Sequence, residues 1–185
     1  MKKFSTRDIA SVAVFSAIWI VSQTYLGPTI SLLTGIHGVI QRFLGWLLML
    51  VLARISGRFG RVTIMAMVSS FATRISRSIQ IYSLFVGLGY VVGGLVFDLL
   101  YFLPKSKKGI SKKYTIFVSL VSGVVASIPY MLLYLFTLGF YGFLVWFPTY
   151  APDMVKSVIL SILGTSTGLL ILPLIETGVA YLHRK

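Results

Sequence analysis

Long apolar runs alternate with short basic segments along this chain. Their hydropathy predicts helices near residues 8–27, 36–53, 61–81, 84–103, 114–138 and 155–182. Most of these reach the roughly 20 residues needed to cross a hydrocarbon core about 30 Å thick. The run 114–138 carries no formal charge; at about 1.5 Å per residue it is longer than that core and should tilt. The second run is the most polar: its uncharged part spans only Phe43 to Ala53, and its other half holds His37, Gln41 and Arg42. Those three side chains need protein or water around them, because lipid offers no hydrogen bonds. Long apolar runs without two-residue alternation argue against a transmembrane β-barrel. The expectation is an all-α integral membrane protein, one domain over residues 1–185 folded as a six-transmembrane-helix bundle.

Composition agrees with the pattern. The chain is 57% hydrophobic and 11% charged, whereas a soluble domain devotes about a quarter of its residues to charge. The opening "MKKFSTRDIASVAVFSAIWIVSQTYL" starts basic, as a signal peptide does. Its apolar run is too long for one and no A-x-A-like site follows, so it reads as a retained first helix. Cysteine is absent, which excludes disulfides and thiolate metal sites.

The formal charge of +13 would suggest nucleic acid in a soluble protein. In a membrane protein, basic loops set orientation against an anionic cytoplasmic leaflet. With the N-terminus inside, Lys2, Lys3, Arg7, Arg54, Arg58, Arg61, Lys105, Lys107, Lys108, Lys112, Lys113, Arg184 and Lys185 face the cytoplasm. Arg42, Arg74, Arg77 and Lys156 face out. That imbalance predicts a multi-pass protein of the cell membrane with both termini cytoplasmic.

Arg74 and Arg77 then sit at the outer end of the third helix. They fit either of two uses: anchoring to lipid phosphate or helix-end carbonyls, or lining a site with His37, Gln41, Arg42, Asp153 and Lys156 on the same side. Asp8, Asp98 and Glu176 fall toward the inner side; Asp98 and Glu176 lie within apolar runs and need partners, for which the basic loops are nearest. Small residues one turn apart predict close helix contacts: Ala13 with Ala17, Gly89 with Gly93 and Gly94, Ser119 with Gly123 and Ser127, and Ser157, Ser161, Gly164, Thr165 and Gly168. Pro129 and Pro173 should bend their spans.

No nucleotide loop, nucleophile elbow, metal-binding His-Glu motif or paired carboxylates occur, so the sequence reads as a non-enzyme without metal or bound cofactor. Any ATP-driven role then needs partner subunits.

Six spans, inside termini, "RDIASVAVFSAIWIV" in the first helix, "LARISGRFGRVTIMAMVSSF" across the second and third, and "VGLGYVVGGLVFDLLYFLPKSKK" running into a basic inner loop together resemble one family. It is the S components, the substrate-binding subunits of energy-coupling factor (ECF) importers, nearest the thiamine and hydroxymethylpyrimidine branch. The resemblance implies capture of a vitamin-like molecule from outside and delivery inward with a transmembrane coupling subunit and two ATPases. It puts the coupling-subunit contact on Ala10, Ala13 and Ala17, and the substrate pocket on the outer side. There His37, Gln41, Arg42, Arg74, Arg77, Tyr82, Trp146 and Tyr150 are the candidate ligand contacts. The aromatic members suit stacking on a flat heterocycle and equally suit an interfacial belt. The branch implies carboxylates near the third helix; none occurs there, which weighs against a cationic ligand such as thiamine. Two other functions fit the sequence: a stand-alone ion-coupled carrier using Asp98 or Glu176, and a membrane scaffold with a basic inner face.

Overall fold

The structure, a computed structural model, describes residues 5–34, 38–75, 81–103 and 110–182, without the side chains of Ile81 and 176–182. Among the described residues the secondary structure is entirely helical. Helix α1 (Thr6–Val21) continues through a π-helical turn, Ser22–Leu26, into α2 (Gly27–Thr34). Then come α3 (Val39–Ser56), α4 (Arg61–Ile75), α5 (Ile81–Phe102), α6 (Lys112–Val125) and α7 (Ile128–Leu182). Four stretches are long and apolar enough to cross a bilayer: Thr6–Thr34, Val39–Ser56, Tyr82–Phe102 and Lys112–Ile175. Helix α4, with 15 residues, is about 22 Å long.

Three predicted boundaries are corrected. The first helix does not stop at 27, because the Gly27 N–H bonds the Ser22 carbonyl five residues back; that widened turn carries the helix past Pro28. The span 114–138 is interrupted at Ala126–Ser127, just ahead of Pro129, which cannot donate to the preceding turn. The last helix does not begin at 155; after Gly139 the expected loop is helical over 140–154.

Straight, the 55 residues of α7 would reach about 80 Å. Gly139 breaks it, with φ 70° and ψ 175°, a conformation essentially reserved for glycine. Tyr134 then stacks on Trp146 at 3.9 Å, and Tyr130 meets Tyr150 at 5.2 Å. Those pairings run in opposite directions from Gly139, so α7 is an antiparallel hairpin. Further from the tip, Ser119 of α6 bonds the Ser161 carbonyl at 3.1 Å and Thr165 Oγ1 at 2.6 Å. The return arm thus packs on α6 as well.

The interior is built for lipid surroundings. Ser69, Ser119, Ser122, Ser161 and Thr165 are fully buried. Leu32, Phe136, Tyr141 and Val145 are each about 80% exposed or more. Small polar residues inside and large apolar residues outside is the arrangement of membrane bundles, where backbone proximity replaces the hydrophobic effect between helices. The predicted small-residue contacts are present on α5, α6 and α7, whereas Ala13 and Ala17 of α1 are exposed. A methyl at Gly89 would strike the Ala126 carbonyl oxygen, one at Gly164 would strike that of Phe43, and one at Gly94 would lie 2.9 Å from Ala66 Cβ.

One end of the bundle holds Asp8 and Asp98. Asp8 closes a capping box on α1 with Ser5 and also accepts Arg58 at 2.7 Å and Arg61 at 3.0 Å. The basic turn between α3 and α4 thus serves Asp8, whereas the sequence predicts basic partners for Asp98 and Glu176. Asp98 differs: its Oδ2 accepts the backbone N–H of Gly60 (3.1 Å) and Thr63 (2.9 Å) and the Thr63 hydroxyl (2.7 Å). It caps the start of α4 from a neighbouring helix, because the first N–H groups of a helix have no partner within it. At the same end Tyr114 of α6 donates to the Leu100 carbonyl. The Glu176 side chain lies outside the described residues.

Candidate functional site

At the opposite end from Asp8 and Asp98 lies a cavity of about 190 Å³. Arg42 and Trp46, one turn apart on α3, form one wall; Val86 and Tyr90, one turn apart on α5, form the next. Ala126 and Ser127 contribute the interruption between α6 and α7, and Tyr130 stands one turn beyond it. The return arm of α7 closes the cavity with Tyr150, Asp153 and Ser157, which share one helical face.

Polar groups converge on this space. Arg42 reaches across to donate to the Asp153 backbone carbonyl at 3.4 Å, and the Asp153 carboxylate faces Lys156 at 3.4 Å. Tyr130 donates to the Tyr134 hydroxyl at 3.3 Å. Behind the lining stands an aromatic slab in which Trp146 stacks on Tyr134 (3.9 Å, 8°) and on Tyr150 (4.9 Å, 15°). Such a cavity can surround a small polar molecule with ring walls, hydroxyls and one guanidinium. Among the described residues no group of three or more His, Asp or Glu comes together.

The predicted site residues divide. Arg42 and Tyr150 line the cavity. Trp146 supports it through its ring stacks, and Tyr82, half exposed, touches Tyr134 at 5.8 Å. Gln41 is turned away: successive helical residues point about 100° apart. It accepts from Gln23 Nε2 at 2.7 Å beside a second cleft under α2. Arg74 is also elsewhere. It is buried, donating to the Ser83 carbonyl at 2.6 Å, the Ser70 carbonyl at 3.0 Å and Thr73 Oγ1 at 3.1 Å, with its stem laid over Gly87. It straps α4 to α5. His37 and Arg77 lie outside the described residues. Ala10, Ala13 and Ala17 share an exposed face of α1, where Ala13 borders a groove shared with Ile64 and Val68 of α4.

Sequence reasoning placed Asp153 on the same side as Arg42 but missed Trp46, Tyr90, Ser127, Tyr130 and Ser157 as lining residues. The available signals were Pro129, which marks a break inside a span, and the 150–153–157 spacing. Compared with known proteins, the chain matches no family model, no curated protein and no solved structure.

Proposed function

We propose that this chain is the substrate-binding membrane subunit of an ECF-type importer, and no enzyme. It takes a small vitamin-like molecule from outside and passes it inward with a coupling subunit and two ATPases, which supply the nucleotide chemistry. The observation that carries this reading is the cavity between Arg42, Tyr90, Tyr130 and Tyr150, enclosed by helices at the end away from the Asp8 and Asp98 networks. It has the mixed apolar and polar lining of a small-molecule site.

Two further features support it. The α7 hairpin lets the segment from Lys112 to Gly139 cross one way and the return arm cross back. With the α1–α2 rod, α3, α4 and α5, we count six crossings and put both termini on the basic, cytoplasmic side. The bare Ala10–Ala13–Ala17 face offers a smooth surface for a coupling subunit. An ion-coupled carrier would need a titrating acid on the transport path, whereas Asp98 Oδ2 is committed to capping α4.

Affinity purification of the tagged chain from its native membrane tests the reading. Recovery of two ATPases and a second membrane subunit is expected, together with ATP-dependent uptake by the reconstituted complex. Ion-gradient-driven uptake by the chain alone, with no ATPase recovered, would refute it.

A further inference from the structure

The size and charge of the cavity restrict what it can hold. At about 190 Å³ it lies below the roughly 300–1,000 Å³ of pockets for drug-sized molecules, which favours one ring over two. Its walls include four aromatic residues, Trp46, Tyr90, Tyr130 and Tyr150, and such walls favour a flat ligand.

Charge is equally selective. Arg42 and Asp153 are the charged residues lining the cavity. The Asp153 carboxylate is answered by Lys156, while Arg42 meets Asp153 only through a backbone oxygen at 3.4 Å. The local balance is therefore one positive charge, held on a planar guanidinium suited to a carboxylate. A phosphomonoester brings up to about two negative charges, leaving part of its charge unanswered. A cation would face Arg42 directly. Nor is the aromatic slab an open cage for a cation, because Trp146 is already stacked on Tyr134 and Tyr150. Arg74 does not line the cavity: its guanidinium is held by the carbonyls of Ser70 and Ser83, and its charge is felt there only through Tyr90.

We infer that the substrate is a planar, single-ring monoanion, an aromatic or heteroaromatic carboxylate, and that Arg42 is the residue that selects it. This rests on reading the cavity as the substrate site.

The full-length chain, purified in detergent and exchanged extensively to remove bound molecules, is titrated with four probes. These are nicotinate, its neutral isostere nicotinamide, the cation 1-methylnicotinamide, and the two-ring quinoline-3-carboxylate. Nicotinate is expected to bind about tenfold or more tightly than nicotinamide, as a charge-assisted hydrogen-bond pair implies, with the other two weaker still. Arg42→Gln should bring acid and amide within about twofold of each other. Arg42→Lys, which keeps the charge without the fork, should retain part of the preference, and Arg74→Gln should retain all of it. Equal or tighter binding of the amide, the cation or the two-ring acid overturns the inference, as does binding of none of the four. Recovery of ATPases needs no probe, so the importer reading can survive when this one fails.

Discussion

Replacing Gly164 with alanine measures how much the closest helix contact contributes. A methyl at Gly164 would lie 3.0 Å from the Phe43 carbonyl carbon and 3.3 Å from its Cα, and nearer still to the carbonyl oxygen. Comfortable carbon contacts are about 3.5–4.0 Å, so α3 and α7 must part by roughly 0.5 Å or more. The obstacle is backbone on both sides, which cannot rotate away as a side chain does. Overpacking of this kind costs about 1–3 kcal/mol. Against it stands the gain of about 0.5–1 kcal/mol from alanine over glycine within a helix. Gly168→Ala, one turn further along the same arm, serves as the reference, because a methyl there meets the tip of the Leu50 side chain at 3.1 Å, which can turn away. The difference between the two variants is then the cost of the backbone clash. Equilibrium unfolding of both in mixed micelles, titrated with a denaturing detergent, should place Gly164→Ala about 1–3 kcal/mol below Gly168→Ala. Equal stability, or a more stable Gly164→Ala, would show that the contact between α3 and α7 yields freely and that the helices are not held backbone to backbone.

Asp98→Ala strands the buried donors at the start of α4 and should cost about 1–3 kcal/mol, whereas Asp98→Asn keeps an acceptor and should recover part of the loss; the same unfolding titration checks both. Arg74→Gln should lower the melting temperature without changing ligand affinity, the reverse of Arg42→Gln, and thermal melts paired with titrations separate the two roles. Because the chain has no cysteine, single substitutions report sidedness cleanly. A membrane-impermeant thiol reagent should label Tyr141→Cys on intact cells and leave Lys113→Cys untouched until the cells are opened.

Hydropathy sufficed for the existence of the long helices, because a run of twenty apolar residues has few alternatives. It failed where packing overrides local preference. Residues 140–154, with Pro148 and Pro152, read as a loop, yet Trp146 and Tyr150 stack against the first arm of α7 and hold the segment helical. Gly27-Pro28 likewise looks like a stop, and a π turn carries the chain through it. For the site, adjacency in sequence was misleading: Gln41 and Arg42 are neighbours that serve different cavities. Arg74 looked like a ligand contact because a charge in an apolar run suggests function, but carbonyls of α4 and α5 absorb it. Which carbonyls lie within reach is a matter of helix register, and composition does not carry that.

The short turn between α3 and α4 is clasped from two directions, by Asp8 reaching Arg58 and Arg61 and by Asp98 reaching Gly60 and Thr63. Four rods are thereby riveted at a single rim. The far end has fastenings of its own, the Arg74 strap from α4 to α5 and the contact of Gly164 with Phe43 beside Arg42, so the compartment around Arg42 is framed by helices pinned at both ends.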